Sequence, residues 1–307
     1  MRAPCAARAF AARTARLAAR SLLREAEAAP KPGLVDRLGP GSHSDMDIGH
    51  FRLSAAALEP YFTRMAEEGD PERLRSLGIE AEAAMLAATG GVNTHKGAIW
   101  ALGLLCAAAG TLHARARRVG APDAEAVCDA EAVCDEAAAL AARITALSGR
   151  PGGSEATHGQ AARRDHGLRS AACEALAGFP SVRAAALPIA RGLARSGDRD
   201  APDARAREDE AVILVLLAAM TATDDTCVVA RGGLEALGMA RSMAREVLGA
   251  GGPRSDAGAP AYARMMAEFA ARRLSPGGSA DMCAAALFLA DLERPGPPGL
   301  ALPRARR

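Results

Sequence analysis

The chain has 307 residues, half of them hydrophobic but only 3% aromatic, with 38 basic and 36 acidic side chains and a formal net charge of +2. Basic residues spread evenly along a nearly neutral chain exclude a nucleic-acid footprint, and no uncharged stretch reaches the roughly 20 residues a membrane span needs. Seven cysteines, an odd number with no Cys-x-x-Cys pair, fit a reduced, cytoplasmic setting.

A core with few aromatic and β-branched residues must be built from Ala, Leu, Val and Met, which favours close-packed helices over sheets. The apolar periodicity predicts an all-α fold, a single compact multi-helix domain of about ten to eleven helices over residues 1–293, with a disordered tail at 294–307. The first helix is expected at 6–28. Six arginines and no acid from Met1 to Arg24 superficially suggest a transit peptide, but the apolar residues run straight on into a motif, which favours a helix face. Helices follow at 47–68, 72–89 and 94–117. The next, 123–147, carries the tandem hexapeptide Ala-Glu-Ala-Val-Cys-Asp at 124–129 and 130–135, read as a small duplication in an exposed helix. The rest are expected at 160–177, 181–195, 205–222, 229–248, 258–273 and 279–292. Asp47, Asp123 and Ser279 stand where N-caps belong. No segment shows the period-two alternation of a strand.

The loops between these helices carry the chemistry. All basic residues but two are arginine; the exceptions are Lys31 and Lys96. Under so strong an arginine bias, a lysine that only had to be positive would drift to arginine. Its compact, rotatable ammonium is not always replaceable by a planar guanidinium. Lys31 lies between two prolines in Pro30-Lys31-Pro32-Gly33, held for an anion or incidental to a helix C-cap. Lys96 lies in Gly90-Gly-Val-Asn93-Thr94-His95-Lys96-Gly97, whose glycines and following helix N-terminus suit a phosphate; the P-loop spacing is absent. Gly41-Ser-His43-Ser-Asp45-Met-Asp47 gathers an imidazole and two carboxylates, for a hard cation or for general-base work, though Asp47 also fits a plain cap. Asp224-Asp225 after an apolar helix invites either magnesium or a cap role. Arg231-Gly232-Gly233 follows, and Ser275-Pro-Gly277-Gly278-Ser279-Ala-Asp281 offers a second Gly/Ser anion loop. Thr157-His158-Gly159 and Asp165-His166-Gly167 are weak on their own. Together, the loops suggest a polyphosphate with magnesium on a helical scaffold.

These motifs resemble the triphosphoribosyl-dephospho-CoA synthase family, which makes the prosthetic-group precursor of citrate lyase and malonate decarboxylase. The matching stretches are PKPGLVD at 30–36, GSHSDMD at 41–47, GGVNTHKGAI at 90–99, THG at 157–159, GFP at 178–180, DDT with RGG at 224–233, and SPGGSAD at 275–281. They occur in the family's order over about 22–291. The resemblance implies an all-α, magnesium-dependent pentosyltransferase. It joins the 5-triphosphoribosyl group of ATP to the 2′-hydroxyl of 3′-dephospho-CoA and releases adenine.

On that resemblance Asp45, Asp47, His43 and Glu27 are the catalytic candidates, and Asp224 and Asp225 the magnesium ligands. Lys31, Asp36, Asn93, Thr94, His95, Lys96, Gly97, His158, Arg231, Gly232, Ser275, Gly277, Gly278 and Asp281 are the substrate-binding set. The chain departs from the family pattern at Ala29, where Thr is expected, at Cys227, where Asn is expected, and over 160–176. The Ala/Arg-rich composition favours the malonate branch. A homodimer and a downstream carrier-protein transferase are the expected protein partners, with no nucleic acid and no membrane. Two other readings share these residues: a magnesium-dependent N-ribosyl hydrolase of the ADP-ribosylglycohydrolase type, and a catalytically weakened homologue that only binds.

Overall fold

The computed structural model describes residues 3–119, 129–147, 168–193 and 203–294. Among these the chain forms eleven helices and no strand. They are α1 (Ala3–Glu27), α2 (Ile48–Glu67), α3 (Pro71–Ala88), α4 (Lys96–Arg118), α5 (Ala130–Leu147), α6 (Ala171–Leu176), α7, α8 (Ala204–Ala222), α9 (Thr226–Gly249), α10 (Gly258–Ala271) and α11 (Gly277–Leu292). Helix α7 is a π-helical turn, Val182–Ala186, that continues as Leu187–Leu193.

Helices α4 and α11 form the centre. Leu102, Leu105 and Cys106 of α4, and Cys283, Phe288 and Leu289 of α11, are completely buried. Helices α1, α2, α5 and α8 pack around this pair. Small residues set the spacing: a Cβ added to Gly110 of α4 would stand 1.8 Å from the Ala66 carbonyl oxygen of α2. With so few aromatics, this close approach of backbones supplies the packing that bulky side chains supply elsewhere. Helix α4 is the one described single helix long and apolar enough to cross a membrane, and it is mostly buried in the core.

Several starts are fixed by their own sequence. Asp47 caps α2, accepting from the Gly49 and His50 amides in a capping box with His50. Asp70 caps α3, with Pro71 in the first turn. Helix α9 begins three residues earlier than the periodicity predicts, because Asp225 caps it through the Cys227 and Val228 amides. Its first turns then break at Gly233, whose φ of 73° is left-handed. Two expectations are corrected. Ser279 is not a cap: α11 starts at Gly277, and the Ser279 hydroxyl donates instead to Asp225. The hexapeptide does not lie on an exposed helix: in its second copy Val133 and Cys134 are completely buried in α5. The first copy up to Cys128, Asp123, the His158 and His166 motifs and nearly all of the predicted tail lie outside the described residues.

Candidate active site

Four segments before or after helices meet at one end of the bundle: the loop after α1, the turn before α4, the start of α9 and the start of α11. Gly33 locks the first to the last. Its φ is +66°, and a Cβ there would stand 1.9 Å from the Leu274 carbonyl oxygen, so only glycine permits this approach. The Asp36 carboxylate closes the loop by accepting from the Lys31, Leu38 and Gly39 amides. Lys31 is thereby turned inward. Its side chain is 1% exposed, and Nζ donates to the Glu25 carboxylate at 2.7 Å.

Two cavities open at this end. The smaller, of about 350 Å³, gathers the polar side chains of Lys31, His43, Thr94, His95, Arg231 and Ser275 among apolar ones such as Leu22, Val35, Met46 and Phe51. The larger, of about 510 Å³, has apolar walls including Leu74, Ile79, Ile99, Trp100, Leu104 and Met282. Asn93, Lys96, Gly97, Cys227 and Asp281 line both, so these residues form a shared wall. The wall is tight. A Cβ on Gly97 would stand 2.0 Å from Asp281 Oδ2, so glycine at 97 lets the α4 N-terminus approach that carboxylate. Asn93 Oδ1 accepts from the Lys96 amide, and Lys96 Nζ donates to Glu82.

The acidic residues differ sharply. Asp281 is drawn well above the usual carboxylate range by burial and by the nearby Glu25 and Asp225 charges, opposed only by the Ala98 amide. Asp225 is also raised by burial, yet both its oxygens are engaged. Oδ1 accepts from the Cys227 and Val228 amides, and Oδ2 from the Ser279 amide and hydroxyl, each of the latter at 2.7 Å. Burial pushes Asp224 up, but the Arg169 backbone and the Arg241 guanidinium outweigh it and hold it low. Arg241 reaches one Asp224 oxygen and Arg169 the other. The magnesium expected on this pair therefore does not fit: their oxygens are committed to protein donors. Among the described residues, no three His, Cys, Asp or Glu side chains form a metal-holding group.

His43 shares a 2.9 Å hydrogen bond with Ser275 and lies 3.4 Å from Arg231. Burial and the Arg231 charge lower its pKa, which favours the neutral imidazole. His95 bonds Ser54 through Nδ1, and burial together with Lys31 lowers its pKa to about 3. It is a neutral imidazole with an unpartnered Nε2. Asp45 and Asp47 are 63% and 67% exposed; neither lines a cavity, and Asp47 is spent on its cap. Glu27 pairs with Arg52 and Arg205, Asp36 holds its turn, and Gly232 packs on Ala236 and Leu274; all three also lie off the cavity walls. Ser275 and Gly277 line the smaller cavity, and Gly278 the larger.

The residue-by-residue reading overlooked the partners. Glu25 neutralises Lys31, and Glu82 does the same for Lys96. Glu174, on the larger cavity, is buried with one oxygen on Ser181 and the other unpartnered. A retained lysine was a signal that a buried carboxylate should lie near it, and Glu25 stands only six residues away.

The chain matches the family model of ATP:dephospho-CoA triphosphoribosyl transferases over residues 11–298. It is 42% identical over 293 residues to the probable 2-(5''-triphosphoribosyl)-3'-dephosphocoenzyme-A synthase of Pseudomonas syringae pv. syringae, with 92% of each chain covered. Proteins of the same name from Azotobacter vinelandii and Albidiferax ferrireducens are 40% and 38% identical, again over about nine-tenths of both chains. No solved structure matches. With a match over nearly its whole length, the chain, whose two cavities share a wall of Lys96, Gly97 and Asp281, belongs to the ATP:dephospho-CoA triphosphoribosyl transferase family.

Proposed function

We propose that the chain transfers the triphosphoribosyl group of ATP to the 2′-hydroxyl of 3′-dephospho-CoA at the wall between its two cavities. The observation that carries this is the shared wall itself. A transferase must bring two substrates to one point in a fixed geometry, and here two separate cavities meet along Asn93, Lys96, Gly97, Cys227 and Asp281.

In the step, the acceptor 2′-oxygen bonds to ribose C1′ and the bond from C1′ to adenine breaks. The electron pair leaves with adenine, which takes up a proton, and the hydroxyl proton passes to a base. The transition state is oxocarbenium-like, as in glycoside chemistry. Asp281 is the carboxylate placed for the hydroxyl proton: it is on the shared wall, and its raised proton affinity is what a general base needs. Arg231, which has carbonyls and His43 but, among the described residues, no carboxylate against its guanidinium, and Lys96 meet phosphate charge. Magnesium enters on the triphosphate, held mainly by phosphate oxygens as is usual for this ion. The malonate branch, a cytoplasmic setting, a homodimer and hand-over to a carrier-protein transferase complete the reading; gene neighbourhood tests the branch.

Chromatographic detection of adenine from ATP and magnesium tests the reaction. Release that requires 3′-dephospho-CoA, with a product heavier by one triphosphoribosyl group, is expected. Release without an acceptor would instead make the chain a hydrolase.

A further inference from the structure

The two cavities differ in what they leave unsatisfied, and the difference sorts the two substrates. In the smaller cavity, Arg231 carries a charge that no described carboxylate neutralises. Two side chains on this cavity, Thr94 through Oγ1 and His95 through Nε2, are buried without a hydrogen-bond partner. A buried polar atom without a partner is costly, so these positions await polar ligand atoms.

The larger cavity has the more apolar lining. Lys96 pairs there with Glu82 and Arg169 with Asp224, and Arg75 is a further cation on its wall. Leu74, Ile79, Ile99, Leu104 and Met282 with Trp100 supply its apolar face, beside the hydroxyls of Ser170 and Thr226. Two orphan polar groups interrupt this face, the indole N–H of Trp100 and Oε1 of Glu174. One is a pure donor and the other is an acceptor when ionised. Burial raises the Glu174 pKa, opposed by Ser181. A triphosphate has no donor to offer Glu174, and it would leave apolar wall against charge.

Resting on the reaction proposed above, we infer that the larger cavity receives the pantetheine arm of the acceptor, an aliphatic chain carrying two amides, while the smaller cavity receives the triphosphate of the donor. The arm's methylenes and methyls cover the aliphatic wall. An amide carbonyl accepts from Trp100 Nε1, and an amide N–H donates to Glu174 Oε1. The acceptor's sugar then lies toward the shared wall, with its 2′-hydroxyl beside Asp281. The donor's ribose reaches the same wall from the other side.

The test uses the full chain and two readouts. Gly78 of α3 lines the larger cavity, and a Cβ there would meet nothing within 4 Å. Gly78→Leu therefore puts volume into open space at a helical position where leucine is favourable, and Gly78→Ala is its control. Titration calorimetry with 3′-dephospho-CoA should show binding weakened roughly tenfold or more in Gly78→Leu, about 1.4 kcal/mol, with binding of magnesium-ATP unchanged. Trp100→Phe should weaken 3′-dephospho-CoA but not ADP, which lacks the arm. Arg231→Met should do the reverse, weakening ATP and sparing 3′-dephospho-CoA. Equal loss of both substrates in Gly78→Leu, unchanged 3′-dephospho-CoA binding, or wild-type protein that does not bind 3′-dephospho-CoA overturns the assignment. Because binding is read without turnover, wild-type protein that binds both substrates but releases no adenine would sink the reaction and still test the assignment.

Discussion

Lys31 and Lys96 are the chain's only lysines and lie in the PKPGLVD and GGVNTHKGAI motifs, yet the structure puts them in opposite surroundings. Lys31 is buried, 1% exposed, and closed against the Glu25 carboxylate inside the smaller cavity. Lys96 is 44% exposed, pairs with Glu82 on the lining of the larger cavity, and stands on the wall that both cavities share. A buried ion pair is part of the fold, since losing either member leaves a charge without solvent. A half-exposed pair contributes little to stability and is free to exchange its partner for a ligand. The same side chain has thus been kept for two physical reasons, and substitutions can separate them.

The largest effect belongs to Lys31. Lys31→Met leaves Glu25 buried and unpaired, which should cost about 3–5 kcal/mol in denaturant unfolding. Adding Glu25→Gln removes the stranded charge and should recover most of that loss without recovering transfer activity, because the smaller cavity then keeps only Arg231 of its two inner cations. Failure of the double variant to regain stability would mean the pair is not what Lys31 is kept for. Asp225→Ala comes next. It removes the α9 cap and the tie to Ser279 of α11 together, an expected loss of roughly 2–4 kcal/mol. Were Asp225 mainly a magnesium ligand, activity would fall with little change in unfolding.

Lys96→Met inverts the pattern. Its stability should stay within about 1 kcal/mol of wild type, while kcat/KM for triphosphoribosyl transfer drops roughly a hundredfold, the usual scale for one charge-stabilising donor. If unfolding and activity fall in parallel, the contrast between the two lysines disappears.

Much of this was legible before any coordinates. The 3.6-residue periodicity placed most of the helices, because an Ala/Leu core leaves little competing strand signal; of the helix expected at 160–177, only Ala171–Leu176 is helical among the described residues. The lysines and the Gly-rich turns marked the site, because they break the composition around them. What stayed hidden was which carboxylate is spent and which is available. Asp224 and Asp225 read as an adjacent metal pair, but the donors that occupy them come from Arg169, Arg241 and Ser279, up to 55 residues away. Asp45 and Asp47 look catalytic beside His43, yet they face solvent. Asp281 looks like one more loop acid in a Gly/Ser segment. Only the contact with Gly97, 184 positions earlier in the chain, puts it between the cavities. Local pattern reports which residues are unusual; long-range pairing decides what each has left to offer.

Asp281 gives the smallest stability change and the sharpest test of that distinction. Its carboxyl is buried beside Glu25 and Asp225, with Cys227 on the same wall and the Ala98 amide as its hydrogen-bond donor. Its folded pKa lies above the ordinary carboxylate value, so the native state binds this proton more tightly than the unfolded chain. Stability from this group is therefore full at low pH and lost as pH rises through the raised pKa. Asp281→Asn keeps the shape and an acceptor oxygen while removing the charge. It should melt at or above the wild-type temperature at pH 8, with the difference shrinking as pH is lowered and wild-type Asp281 takes up its proton. Activity should move the other way. Wild-type kcat/KM should climb with pH along an acid limb displaced upward from the carboxylate range. The Asn variant should lose that limb along with roughly 10²–10⁴-fold in kcat. A variant that is stable and fully active would return the base to another residue. One that is inactive because it unfolds would make Asp281 a fold residue like Lys31, and the shared wall would then need a different proton acceptor.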